Sequence, residues 1–346
     1  MSLDVETRTM MLESADRLLR DLCTPELINQ AEKGEFPADL WRAIEEAGLT
    51  LIGVPEEQGG VGGSLADFAA VMRLLGFHAV PVPAAETALA RYLAARAGIE
   101  LPAEPLTIAI AQTPAQLSGD GKRISGDVRA VPWPSYAIAT LSRAANGKPS
   151  LSLVSKGARE AVNNAAGEPR ARLTMAEMPI SFSGSLDCSA ADVWALAAFM
   201  RVQQMAGAAQ RVLEIALEYA RERKQFGRPI GNFQAVQQLL AELAGQVASL
   251  QSAAESAADA AAAGELGLPV AAAKVRAGEA AGRISAMAHQ VLGAMGFTYE
   301  HRLHHFTRRL WVWRDDFGDD ASWAVEIGRG VTEGGAAALW PKLSGL

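Results

Sequence analysis

Cysteine is nearly missing from this chain of 346 residues, with Cys23 and Cys188 the only two. They give no disulfide framework and no CxxC metal spacing. Both read as buried thiols, because free cysteine is among the most buried residue types. Histidine is almost as scarce. Three of the five sit in one run, His301, His304 and His305, and with no cysteine nearby that run reads as helix surface, with no metal site expected. No apolar stretch is long enough to cross a bilayer. The opening "MSLDVETRTMMLESADRLLRDL" is charged throughout and lacks the apolar centre of a secretion signal. Basic residues are not in excess either: 32 Lys and Arg face 39 Asp and Glu, a net charge of −7. Without a basic tail, nucleic acid is a poor candidate for the main partner. The stretch "RRLWVWR" accordingly reads as a packed helix with a basic edge. These absences predict a cytoplasmic protein with no membrane and no nucleic-acid partner.

What is present falls into three textures. Residues 1–100 read as helices, with apolar residues at three- and four-residue steps in "SADRLLRDLC" and "PADLWRAIEEAGL". Pro37 suits a first helical turn, Gly48 a helix end, and Ser64 an N-cap. The glycines from Gly59 to Gly63 lack the Lys-Ser/Thr of a P-loop and read as a tight connection. Residues 101–186 change to short, partly alternating runs: "LTIAIAQ", "KRISGDVRAVPW", "YAIATLSR", "SLSLVSK" and "RLTMAEMPISF". Asp120-Gly121 and Asn146-Gly147 are hairpin signals, so this middle domain is expected to be a small antiparallel sheet. Residues 187–346 return to four or five long helices. Ser189 is placed to cap one that runs to about Arg223. Asn232 is placed to cap the next, with the stripe Phe233, Val236, Leu240, Leu243, Val247 and Leu250. The expected fold class is α+β, mostly α: an N-terminal helical domain, a small middle β-domain and a C-terminal bundle of long helices.

Between two of those helices lies "RERKQFGRPIGNFQAVQ", residues 221–237, a cationic and aromatic junction. As an isolated basic run it would be a solvated face. Its flanks say more. "YARERKQFGRPIGNFQAVQQLLAELA" resembles the acyl-CoA dehydrogenase signature of an Arg, two residues, Phe-Gly, and a Gln shortly after. "WRAIEEAGLTLIGVPEEQGGVGGSLADFAAVMRLLG" resembles that family's N-terminal helical domain. "AHQVLGAMGFTYEHRLHHFTRRLW" resembles its Gln-x-x-Gly-Gly-x-Gly block. The resemblance implies FAD as cofactor, an acyl-CoA thioester as substrate, and tetramers built as dimers of dimers. It further implies that Arg223 meets the pyrophosphate of a neighbouring subunit's FAD. Phe226 and Gly227, with Ile230 and Phe233, would line the adenosine side. Gln234 and Gln290 would hydrogen-bond the cofactor, and Gly293 would allow close backbone approach. His301, His304 and His305 would then lie on a helix surface or the CoA side.

The middle domain departs from the family pattern. Members with a complete flavin site carry a Thr-Glu-Pro-x-Ala-Gly-Ser-Asp loop, whereas here "LTIAIA" passes through "QTPAQ" directly into a hairpin. Only Thr113-Pro114 matches faintly. The usual Trp-Ile-Thr/Ser contact is reduced to Arg123-Ile124-Ser125. The catalytic carboxylate is absent from each family position as well. Phe317 occupies the Glu site of many members, Ala197 that of a second group, and Gln204 that of short relatives acting on bulky substrates. An amide has nearly the shape of a carboxylate but takes no proton at neutral pH. Asp315 and Asp316, with Asp319 and Asp320, flank Phe317 and are weak candidates for a displaced base. As a run they read as a solvated loop.

The resemblance is therefore to the shortened, non-catalytic subunit of heteromeric (α2β2) acyl-CoA dehydrogenases of sterol and bile-acid side-chain degradation. Such a chain would complete the FAD site of a second acyl-CoA dehydrogenase subunit, with electrons passing to an electron-transfer flavoprotein. Two alternatives stay open: a self-sufficient homomeric dehydrogenase with a displaced carboxylate, and a non-enzymatic stabilising subunit.

Overall fold

The protein's structure, a computed structural model, describes residues 3–134, 136–144, 146–154 and 161–335, together with 337 and 341. Ser155 and Lys156, which end the "SLSLVSK" run, and most of the chain beyond Gly335 lie outside the described residues. Five helices come first: α1 (Val5–Leu22), α2 (Pro25–Glu32), α3 (Ala38–Glu46), α4 (Leu65–Phe77) and α5 (Ala84–Ala97). Eight strands follow: β1 (Leu106–Ala109), β2 (Ala115–Leu117), β3 (Arg123–Pro132), β4 (Ala137–Arg143), β5 (Pro149–Val154), β6 (Ala161–Asn163), β7 (Pro169–Pro179) and β8 (Phe182–Ser185). The chain then returns to helix in α6 (Ala190–Glu222). A two-stranded ribbon, β9 (Lys224–Gln225) and β10 (Arg228–Pro229), leads to α7 (Gln234–Ala262), α8 (Gly267–Leu292), α9 (Leu303–Trp313) and α10 (Asp320–Gly334).

Short-range chemistry sets several of these boundaries. Ser64 opens α4 with a capping box: its hydroxyl accepts from the Asp67 N–H, and the Asp67 carboxylate accepts from the Ser64 N–H at 2.7 Å. Ser189 and Asp192 repeat the box at α6, each satisfying two otherwise orphaned donors. Two expected caps are displaced by one residue. Pro37 precedes α3 rather than sitting in its first turn. Asn232 does not cap α7: the Ile230 N–H is held by the Arg223 carbonyl at 2.8 Å, so the chain turns through a 3₁₀ segment and enters the helix only after Phe233. The glycine-rich stretch is a tight connection, since a Cβ on Gly60 would stand 2.0 Å from the Val54 carbonyl oxygen.

The strands form one sheet in the order β6-β7-β3-β2-β4-β5-β8, with β1 also beside β4. It is antiparallel except for β1 and β2, which both run parallel to β4. The sheet therefore has two working faces, because side chains alternate along a strand. Ile124, Val128, Ile138, Val154, Leu173 and Met175 enclose a small core of their own. Leu106, Ile108, Ala139, Leu141, Leu151 and Leu153 turn the other way and join the main core with the helices.

The 33-residue helix α6 is the centre of that main core, buried over most of its length from Val193 to Ala220. It crosses α4 at backbone distance: a Cβ on Gly76 would fall 2.0 Å from the Gln204 carbonyl oxygen, and one on Gly207 would fall 1.9 Å from that of Arg73. The two cysteines are half-buried rather than fully buried. Burial still pushes the Cys23 thiol up to about 12 and raises that of Cys188, so neither is an activated thiolate.

Candidate active site

The junction after α6 projects from the bundle. Arg223 caps the helix, donating its own N–H to the Tyr219 carbonyl. Lys224–Gln225 then pairs with Arg228–Pro229 across a tip formed by Phe226 and Gly227. Both tip residues have left-handed backbone, φ 52° and 79°. Phe226 is 92% exposed and meets only the edge of Phe233, ring centroids 6.1 Å apart. The Arg228 guanidinium lies 4.3 Å over the Phe233 ring. Arg223 and Gln234 are exposed, while Ile230 and Phe233 are half-buried.

The second family block reaches the same end of the bundle. Gln290 is exposed in the last turn of α8, and Gly293 is an exposed glycine at φ 59° with nothing within 4 Å of an added Cβ. The following turn touches the end of α6: His301 stands edge-on to Tyr219 at 6.0 Å, and Arg302 bridges Glu218 at 2.8 Å. Cations, an unpacked aromatic ring, two amides and open glycine backbone thus face outward together. Such a surface can hydrogen-bond an anion and pack on an aromatic group.

In the middle sheet, the segment at the family's flavin-loop position is short. β1 and β2 are successive segments along the same flank of β4. Ala109 pairs with Thr140 and Ala115 with Ser142, so the residues between Ala109 and Ala115 loop out of the sheet. That bulge holds only Ile110 to Pro114, because the last two residues of "QTPAQ" are already in β2, and it is too short for an extended loop. Ile124 is buried in the sheet's core, and Ser125 is tied to Glu177, donating to its carboxylate at 3.1 Å and accepting from its N–H at 3.1 Å. The space between β1, β3, Trp194 and the Asp315–Gly318 loop is about 140 Å³, below the ~300–1,000 Å³ of ordinary ligand sites.

The three positions where the family pattern would put a carboxylate gather around one cation. Ala197 lies one helical turn before Arg201 and is fully buried. Gln204 accepts from the Arg201 guanidinium at 2.6 Å. The Phe317 ring centroid lies 5.7 Å from that guanidinium, and its edge meets Trp194. Arg201 in turn donates to Glu86 on α5 at 2.9 Å and bridges Asp316 at 3.1 Å.

From there a buried ionic lattice runs through the molecule. Arg170 joins Asp316 and Glu168, each at 3.0 Å. Arg309 joins Glu168 to Glu32, and Arg308 closes on Glu32 at 2.5 Å. Four guanidiniums face four carboxylates, so the lattice is balanced. Burial alone would raise the Glu168 carboxyl, but the charges of Arg170, Arg309 and Arg201 outweigh it and hold it below the usual range. The solvated loop expected at 315–320 is only partly so. Asp315 is exposed beside Arg314, Asp316 belongs to the lattice, and Asp319 caps α10 through Ser322, whose hydrogen bonds lower its carboxyl.

His304 and His305, expected at the surface, are buried, because α9 packs that face against α6 and α2. With Glu32 they bring three potential metal-binding atoms within 4.8 Å of one another. Glu32 is already answered by Arg308 and Arg309, which puts two positive charges where a cation would bind, so the cluster reads as ion pairing. Burial works to raise the Glu32 carboxyl. Hydrogen bonding from His305 and the charges of Arg309 and Arg308 prevail and take it from 4.5 down to about 2. A carboxylate with a depressed pKa stabilises the fold above its unfolded value and loses that contribution as pH falls through the folded one. Acid titration of stability should therefore show a loss between pH 4.5 and about 2 that is smaller in Glu32→Gln. Identical acid limbs for the two proteins in urea melts would rule this out.

Sequence reading passed over Arg201 and Glu86. The signal was present: "WALAAFMRVQQM" and "PAAETALA" each hold one charge in an otherwise uncharged stretch, and a charge surrounded on every helical face by small or apolar neighbours is buried and paired. A cleft of about 500 Å³ lies between the starts of α6 and α8 and the length of α10, and Trp194 is the wall between it and the Phe317 loop. Among the described residues, no helix is long and apolar enough to cross a membrane.

Comparison with known proteins agrees with this architecture. Residues 5–100 match the acyl-CoA dehydrogenase N-terminal domain and residues 194–319 the acyl-CoA dehydrogenase C-terminal domain. The chain is 30% identical to acyl-CoA dehydrogenase IpdE2 of Mycobacterium tuberculosis, over 88% of this chain and 91% of that protein. It is 33% identical to acyl-CoA dehydrogenase FadE34 of the same organism, over 80% of this chain and 40% of the longer protein. Among solved structures it superposes on a chain of the ChsE4-ChsE5 complex from Mycobacterium tuberculosis with a TM-score of 0.84 and 25% identity, covering 96% of this chain and 98% of that one. With helices, sheet and both helical sequence blocks in agreement, the chain belongs to the acyl-CoA dehydrogenase family, whose members are FAD-dependent oxidoreductases.

Proposed function

We propose that this chain is the non-catalytic subunit of a heteromeric acyl-CoA dehydrogenase and completes an FAD site whose flavin ring and base belong to a partner subunit. The observation that carries this reading is Arg201: a buried guanidinium stands where Ala197, Gln204 and Phe317 converge. A carboxylate base needs room beside the substrate's α-carbon, and that room is taken by a cation and its two anions.

Bound in such a complex, FAD would supply the acceptor for the substrate's β-hydride. This chain's part is binding. Arg223 provides a charge-assisted hydrogen bond to the pyrophosphate, supported by the neighbouring Lys224 and Arg228. Phe226, with Gly227, covers the adenosine side, and Ile230 and Phe233 continue that wall. Gln234 and Gln290 donate or accept at the cofactor's edge, and Gly293 leaves the backbone open to it. A ring that is 92% exposed in its own chain gains from burial against a cofactor. The overall reaction is α,β-dehydrogenation of an acyl-CoA to an enoyl-CoA, with an electron-transfer flavoprotein as acceptor. Likeness to a chain from a two-component complex supports the heteromer. A self-sufficient enzyme would have to use Asp315, which leans on Arg314 in solvent, or Asp316, which is clamped by two guanidiniums.

Co-expression tests the reading. The chain purified alone should carry little flavin, whereas its complex with a co-expressed acyl-CoA dehydrogenase partner subunit should be yellow and active. One tightly held FAD per chain in an active homo-oligomer would overturn the proposal.

Gln204→Glu should not create a dehydrogenase. The new carboxylate would lie against Arg201, which holds it ionised and weakly basic, and a base helps only when flavin and substrate are positioned beside it. Turnover of a panel of acyl-CoA thioesters, steroid-derived ones included, with an artificial acceptor measures this. Robust activity in the single variant would show that the cradle has been misjudged.

A further inference from the structure

The cleft bounded by α10 and the starts of α6 and α8 has a volume of about 500 Å³ and is lined by no residue of the junction or the ionic lattice. Its walls are mainly apolar, with Trp194 on α6, Leu268 on α8, and Trp323, Ile327 and Val331 on α10. Two ionised side chains line it, Asp192 and Glu326, and both are acidic. Glu326 is answered by Arg329 at 2.9 Å, whereas Asp192 is held by the N–H and hydroxyl of Ser189 and keeps its charge. Acidic walls disfavour an anionic occupant. An apolar concavity of this size is normally covered by something.

The chain itself arrives at this cleft. α10 forms one wall, and Gly335, directly after its last residue, is also part of the lining. Gly335 has φ 74°, a backbone conformation that favours glycine, so the direction of the chain changes there. Residues 336–346 follow, "AAALWPKLSGL". Leu339, Trp340, Leu343 and Leu346 make this segment apolar, and its one charged side chain, Lys342, is opposite in sign to Asp192. Ala337 and Pro341, the described residues of the stretch, are helical and exposed. Four positions apart, they mark one face of a helix. Leu339 and Leu343 each follow one of them by two positions, the spacing of the opposite face. Residues 336–346 would span about 16 Å as helix, against about 22 Å for the 15 residues of α10, so the segment can lie along most of the cleft wall.

We propose that residues 336–346 double back against α10 and fill this cleft, with Leu339 and Leu343 packed on its apolar walls, Trp340 covered, and Lys342 beside Asp192. The cleft is then a docking groove for the chain's own segment. Burial of the leucines and the tryptophan drives the contact, and the short tether gives an effective concentration of about millimolar, so a weak intrinsic affinity suffices. The contact is independent of the FAD reading.

Fluorine NMR of the full chain carrying 5-fluorotryptophan tests this. The chain has seven tryptophans, and Trp340→Phe and Trp311→Phe identify two of the resonances. A soluble gadolinium chelate should broaden Trp340 less than Trp311, which is 39% exposed. Leu268→Asp, which places a charge on the apolar wall, should abolish that protection and bring Trp340 to the broadening of Trp311 or beyond. Val325→Asp, on a 59% exposed position of α10 outside the lining, should leave the protection unchanged. Cysteines introduced as Ala191→Cys at the cleft and Leu343→Cys in the segment should be joined within one chain by a short bis-maleimide. Three results would each overturn the proposal: Trp340 as accessible as Trp311 in the unaltered chain, protection of Trp340 that survives Leu268→Asp, or cross-links formed only between chains, the mark of a second copy's segment in the cleft.

Discussion

Replacing Arg201 with alanine should leave the chain about 3–5 kcal/mol less stable, the usual cost of removing one partner from a buried ion pair. The side chain is 2% exposed, and its loss takes from Glu86, at 4%, its direct ion-pair partner. It also removes a hydrogen bond to Gln204 and a cation lying 5.3 Å over the Trp313 ring. Against a typical total of about 5–15 kcal/mol, that is a large share of the fold's margin. Urea unfolding followed by circular dichroism measures it. Arg201→Met combined with Glu86→Leu should recover most of the loss, because a buried pair exchanged for apolar residues of similar volume is often neutral. A single-variant cost below about 1 kcal/mol, the scale of exposed ion pairs, would mean that the lattice is hydrated and the pocket open.

Arg223→Ala should strip FAD from the co-purified complex while each chain stays folded. The residue is exposed at a helix end and touches no core, so its removal opens no cavity. A charge-assisted hydrogen bond to a pyrophosphate oxygen is worth about 1.5–3 kcal/mol, or about one to two orders of magnitude in affinity. The variant complex should elute with less flavin after dialysis and regain activity in excess FAD, with an unchanged circular dichroism spectrum. Full retention of FAD would return the junction to a helix connection and favour a purely stabilising subunit.

Much of the fold was legible from local patterns. The capping serines at 64 and 189, the hairpin signals at Asp120-Gly121 and Asn146-Gly147, and the return to long helices after residue 187 all depend on neighbours within a few residues. The parallel pairing of β1 and β2 with β4 was not legible, because it joins segments separated by an entire strand, and alternation alone does not report strand direction. The junction motif was readable as a unit because its residues are adjacent in sequence. The lattice was not, since its partners lie as far apart as the 276 residues between Glu32 and Arg308. The inward turn of His304 and His305 escaped for the same reason. Their face of α9 is defined by what packs on it, and Glu32 comes from the other end of the chain.

The charge balance of that lattice also restricts which mutational routes are open. Placing Glu at 317 or 204 adds a fifth anion to four cations; removing Arg201 first strands Glu86; and clearing Glu86 first leaves Arg201 to Asp316 alone. Each single step lowers stability before any step provides catalysis, and effects within such a network do not add. A chain that must stay above a stability threshold at every generation would have to change several of these residues together. Descendants of this sequence are therefore expected to diversify on the exposed surface outside the junction while the interior around Arg201 stays locked.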